Sequence, residues 1–145
     1  MLRLLLIFLL PIFQVVPTWH SNFDVAKEKS IKENKIILIH FINKRSDGGN
    51  IKLEKAIFET DEFVAYANNH LVLLKIDLGI EQTSSEKQFY HNSIIRERYN
   101  SGAVAPFTII TDADGKVLKT WNYKQSLKSS DLISAIQTTI EANKQ

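Results

Sequence analysis

Two near-continuous apolar runs, the first rich in β-branched residues, govern what this chain can become. Residues 35–42 read K-I-I-L-I-H-F-I and residues 71–78 read L-V-L-L-K-I-D-L. Neither run alternates polar with apolar residues, so neither suits a strand with one wet face. Both suit central strands of a sheet covered on its two sides. Between them the spacing is helical. Residues 51–59 place Leu53 and Ile57 at i and i+4, and Thr60-Asp61 forms a fresh N-cap ahead of Phe63, Val64 and Ala67. Strands joined by a crossover of this length pair in parallel.

The rest of the chain completes a pattern of layers. Residues 19–34 are expected to form an amphipathic helix capped by Ser21 or Asn22, with Trp19, Phe23, Ala26 and Ser30 on one face. Residues 79–85 are polar and read as a loop. Residues 85–99 follow as a helix turning Phe89, Tyr90, Ile94 and Ile95 inward. Residues 107–111 predict a third strand, and Asp114-Gly115 a hairpin into a fourth at 117–121. A last helix, capped by Ser129 or Ser130, carries Leu132, Ile133, Ile136 and Ile140 on its apolar face. The order α-β-α-β-α-β-β-α predicts one α/β sandwich, a mixed sheet of about four strands flanked by helices. No linker, internal repeat or low-complexity tract interrupts it.

Composition limits the function classes. With 145 residues, 44% hydrophobic and 23% charged, the chain is long and apolar enough for one genuine core. A formal charge of +2, with acids and bases interspersed, gives no footprint for nucleic acid. The start differs from the rest. Met1-Leu2-Arg3 is briefly basic, and the 13 residues 4–16 are apolar except for Gln14. As a helix they would span roughly 20 Å, short of a bilayer core, and Pro11 weakens that helix. Residues 1–18 are therefore expected to be a secretory signal peptide and residues 19–145 the exported domain, periplasmic or extracellular, with no stable membrane span once the signal is removed. An uncleaved, membrane-tethering segment is the alternative.

Four segments carry a resemblance. One is Trp19 ahead of a helix ending Lys32-Glu33-Asn34-Lys35, followed by the strand I-I-L-I-H-F. Another is the turn and helix D-G-G-N-I-K-L-E-K-A-I-F. The third is T-D-E-F-V-A-Y-A-N-N-H-L-V-L-L-K-I-D, and the last is A-P-F-T-I-I-T-D-A-D-G-K-V-L. Their order and spacing resemble the thioredoxin superfamily across essentially all of residues 19–145, most of all small exported bacterial proteins with a W-C-x-x-C turn. The resemblance implies a thioredoxin-like three-layer sandwich. It places the nucleophilic cysteine at Asp47 and the resolving cysteine at Asn50, with Gly48 and Gly49 between them and Ser46 in place of tryptophan. Pro106 matches the family's cis-proline, so the Ala105–Pro106 bond is expected to be cis. His40 falls where many relatives carry a buried acid. The stretch 100–104 is about one residue longer than the family pattern.

The chain has no cysteine. Thiol–disulfide exchange needs a thiolate and a second thiol to resolve the mixed disulfide, and Asp47 with Asn50 supply neither. Asp47 has a simpler use as the cap of the following helix, and the two glycines as residues of a tight turn. In relatives the residue before the proline pairs its backbone with an extended peptide. The resemblance therefore implies binding by Asp47, Gly48, Gly49, Asn50, Ala105 and Pro106 without catalysis. The expected partner is a protein segment or an unfolded peptide. A structural subunit or assembly factor using another surface is the second reading, and a non-thiol enzyme built on Asp47 the third.

No cofactor or metal is expected. His20, His40, His70 and His91 lack metal-ligand spacing, and His40 reads as a hydrogen-bonded core residue. Asp112-Ala113-Asp114-Gly115 resembles the start of a calcium loop but lacks the later acidic ligand, and a hairpin turn accounts for it. No G-x-S-x-G setting or phosphate-binding glycine loop occurs.

Overall fold

The computed structural model describes residues 16–46, 49–79, 85–123 and 127–143, with backbone alone at residues 49 and 50. Five strands form one sheet: β1 (Trp19–His20), β2 (Ile36–Ile42), β3 (Leu71–Asp77), β4 (Phe107–Thr111) and β5 (Val117–Asn122), in the order β1-β3-β2-β4-β5. β2 runs parallel to β3 and antiparallel to β4, and β5 closes the hairpin. The helices are α1 (Phe23–Glu33), α2 (Gly49–Leu53), α3 (Asp61–His70), α4 (Glu86–Tyr99) and α5 (Ser129–Ala142).

Side chains of the inner strands alternate between two cores, because successive Cβ atoms leave a strand on opposite faces. Ile37, Ile39 and Phe41 face one way, with Phe23 and Ala26 of α1 and Ile95 of α4. Leu38 faces the other, with Phe63 and Ala67 of α3 and Leu132, Ile133 and Ile136 of α5. Both cores are fully buried, which is why these strands carry no polar alternation.

Five strands replace the expected four because Trp19 lies in a strand and not in the first helix. Trp19 and His20 pair in parallel with Leu73 and Leu74. The helix starts four residues after Trp19, at Phe23, where Asn22 adopts an extended backbone and its side chain accepts from the N–H of Val25 at 3.1 Å. Trp19 still packs inward, edge-on to Phe58, so its burial gives no sign of which element holds it.

Three further expectations are corrected. Tyr90 and Ile94 of α4 do not face inward; they are 56% and 65% exposed. The buried face is set by Asn92 and Ile95, because the Asn92 amide donates to the carbonyl of Asp77 at 3.0 Å and turns a polar position toward the core. The last helix is capped at Lys128, whose backbone N–H donates to the Asp131 carboxylate at 3.2 Å. Ser129 instead faces α3, bonding Thr60 Oγ1 and Glu62. Residues 51–59 are only partly α-helical: Glu54–Phe58 form a π-helical turn, with the N–H of Glu59 reaching the carbonyl of Glu54 at 2.9 Å. That wider turn lets adjacent Ile57 and Phe58 both be buried. Thr60 caps α3 as expected.

The hairpin turn follows its sequence. Asp112 Oδ1 accepts from the N–H groups of Asp114 and Lys116, and Gly115 has φ +85°. A Cβ on Gly115 would lie 2.5 Å from the Tyr99 hydroxyl, which donates to the Gly115 carbonyl at 2.9 Å. Gly115→Ala is expected to lower the unfolding free energy by about 2 kcal/mol, from positive-φ strain together with the displaced tyrosine. Urea denaturation of the two proteins checks this.

Candidate functional site

The parallel direction of β2 and β3 and the antiparallel return of β4 bring three chain segments to one end of the sheet. The turn after β2, the end of β3 and the loop before β4 meet there, because Ile42 is in register with Asp77 and Phe41 with Phe107. This end holds those of the predicted site residues that are described. Gly49 and Asn50 open α2, and Ala105 and Pro106 precede β4. Asp47 and Gly48 lie outside the described residues.

The turn is held by a residue that sequence reasoning missed. Asp77 is buried, and its Oδ1 accepts from the N–H of Lys44 at 3.2 Å and of Gly79 at 2.9 Å. Ser46 closes the turn through its N–H and hydroxyl, both donating to the Asn43 carbonyl at 3.1 and 2.9 Å. Gly79 permits the close approach: a Cβ there would meet Asn43 Oδ1 at 2.6 Å. The one available signal was an acid ending a strand that is apolar apart from Lys75, where a buried carboxylate needs donors.

Asn100 fixes the opposite wall. It is buried, its amide donates to the Val104 carbonyl at 2.7 Å, and its Oδ1 accepts from the Val104 N–H at 3.0 Å. Ala103 takes φ +50°, which lets the longer loop turn inside this clasp. The Ala105–Pro106 bond is cis. Among the described residues, neither the N–H nor the C=O of Ala105 has a hydrogen-bond partner.

A polar row, buried at His40 and Thr108, runs beneath this end. In register, Lys75, His40 and Thr108 lie side by side on β3, β2 and β4. His40 Nδ1 is 2.7 Å from Thr108 Oγ1, which is 2.7 Å from the Tyr123 hydroxyl. Phe58, Trp19 and Tyr123 surround the imidazole with ring centroids at 4.6, 6.1 and 6.1 Å. Lys75 Nζ pairs with Glu54 at 3.0 Å and sits 4.6 Å over the Trp19 ring. Burial, reinforced by the Lys75 charge and opposed by a hydrogen bond with the Phe107 backbone, lowers the His40 pKa to about 3. Burial likewise raises that of Tyr123. His40 is a hydrogen-bonded core residue that stays neutral, although its Nε2 has no partner among the described residues.

The consequence for stability has a definite sign. Above pH 6.5, the ordinary histidine value, His40 is neutral in both states. Below it the unfolded chain takes up a proton that the folded chain refuses until about pH 3, so stability falls with pH over that window. Between pH 6.5 and 5 the loss from this group is about 2 kcal/mol. Denaturation at pH 7 and 5 should show that extra loss in the wild type and not in His40→Gln, whatever the starting stability of the variant.

Among the described residues no three His, Asp or Glu side chains converge as metal ligands, and no helix is long and apolar enough to cross a membrane. No protein-family model matches the chain, and no curated protein matches it. Solved structures do. A DsbH oxidoreductase superposes with a TM-score of 0.79 at 23% identity, covering 94% of this chain and 92% of that one. A thioredoxin from Thermus thermophilus gives 0.65 at 6% identity, over 87% and 88% of the two chains. A disulphide isomerase from Xylella fastidiosa Temecula1 gives 0.60 at 20%, over 79% and 87%. These neighbours, with the mixed sheet and its flanking helices, establish that the chain has the thioredoxin-like fold, carried without a single cysteine.

Proposed function

We propose that this is an exported, redox-inactive thioredoxin-like protein that holds an extended segment of a partner or unfolded chain, without catalysis, between the Asp47–Asn50 turn and the Ala105–Pro106 loop. The observation that carries the reading is a thioredoxin-like fold kept in a chain with no thiol to exchange. Three features support a binding role at that end. The backbone of Ala105 has polar groups left unpaired among the described residues, as strand-like capture requires. Asn100 and Asp77 spend buried polar side chains on holding the two walls. Ile51 and Val104 expose apolar side chains, 60% and 49% accessible, one on each segment. The apolar residues 4–16 support export.

A second surface supports the rival role of structural subunit or assembly factor. Tyr90 and Ile94 lie one turn apart on the outer face of α4, both exposed. Crosslinking in cells followed by pull-down, with wild type beside Gly49→Trp, separates the readings. Partners captured by the wild type and lost in the variant are the expected result. Partners captured equally by both would move the function to another face, α4 first.

A further inference from the structure

The first half of α4 is held to the fold by hydrogen bonds more than by apolar burial. Among residues 86–92 the buried side chain is that of Asn92, which is polar. Gln88, His91 and Asn92 share one face of the helix at i, i+3 and i+4. Gln88 Nε2 donates to the Ser21 carbonyl at 2.9 Å and to Asn92 Oδ1 at 2.7 Å, and the Asn92 amide donates to the Asp77 carbonyl. The N–H of Phe23, the first residue of α1, donates to His91 Nε2 at 2.9 Å. A backbone N–H can only donate, so this nitrogen carries a lone pair. The imidazole proton is then on Nδ1, 3.1 Å from Asn92 Oδ1, which accepts it. Backbone geometry thereby fixes the neutral tautomer of a half-buried histidine.

We propose that His91 is an acid-sensitive latch: a proton taken up from solvent by Nε2 releases the first half of α4 from residues 21–23. An imidazolium has no lone pair for the Phe23 N–H, and it stands at the N-terminus of α1, the positive end of that helix dipole. Imidazole is the side chain that ordinarily changes charge between pH 5 and 8. The charged and titratable groups on the elements around His91 are His20 on β1, Asp24 and Lys27 on α1, Asp77 on β3, and Glu86, Lys87 and Arg98 on α4. Among the described residues none of them forms an ion pair with the imidazole. Asp24 is exposed, so water and salt screen it. Asp77 spends its carboxylate on the N–H groups of Lys44 and Gly79, and Arg98 lies over the Phe23 ring at 5.8 Å. The latch stands whatever the sheet end binds.

Amide hydrogen exchange at pH 7 and 5, corrected for the intrinsic pH dependence of exchange, tests this. In the wild type, protection of Phe23 and of residues 89–92 should fall about tenfold more than protection of β2. His91→Gln, which keeps an acceptor and takes up no proton, should show no such excess. The comparison with β2 removes the general acid loosening that comes from His40. Long-range nitrogen–proton correlation spectra of the wild type at pH 7 should show Nδ1 protonated and Nε2 bare, a result that needs no variant to fold. A protonated Nε2 at pH 7, no excess loss in the wild type, or an equal excess in His91→Gln would each overturn the latch.

Discussion

Everything in this molecule is arranged around β2, a strand with no wet face. It pairs on both edges and is covered on both sides, and six of its seven residues are buried. A polar side chain in such a place must be neutral and hydrogen-bonded or the strand cannot stay there. His40 meets that demand through Thr108 on β4 and, beyond it, Tyr123 just after β5, inside a box of aromatic rings. The same row ties β2 to β4 at the level from which the turn after β2 and the loop before β4 emerge. The polar chemistry of the core thus lies directly beneath the candidate site, whose two walls Asp77 and Asn100 fix by contacts of their own.

A scaffold of this kind separates positioning from reaction. The two walls at the sheet end are set by carbonyls, amides and a buried carboxylate, none of which involves sulfur. Removing thiol chemistry leaves those contacts intact. A chain without thiols cannot supply disulfide exchange, and it keeps a pair of fixed edges with exposed Ile51 and Val104 beside them. Binding without turnover is a coherent use of such a surface, since main-chain pairing supplies affinity and side-chain pockets supply selection.

Much of this was legible in the residues. Buried parallel strands announce themselves through near-continuous apolar runs, and the β4–β5 hairpin through Asp114-Gly115, because in both cases local chemistry and global fold demand the same residues. Legibility failed where a tertiary partner decides. Trp19 has a helix-compatible spacing to Phe23, and only the free edge of β3 makes it a strand. Tyr90 and Ile94 look like core by hydrophobicity, yet the bond from Asn92 to Asp77 rotates α4 the other way. The π-helical turn carries no sequence mark beyond adjacent Ile57 and Phe58. Asp77 and Asn100, which hold the site's two walls, are ordinary polar residues until their partners across the fold are seen. The site positions themselves came from the likeness of ordered motifs, and no single residue among them would have revealed the place.

The central claim is that the sheet end bearing Ala105 is a surface for an extended chain. Hydrogen–deuterium exchange of the protein with and without a bound extended peptide tests it most directly. Slowed exchange at residues 43–46 and 103–107, with α4 unchanged, is the predicted result, since a paired strand shields the amides it meets. Protection confined to α4, or none near Ala105 at saturating peptide, would contradict the account.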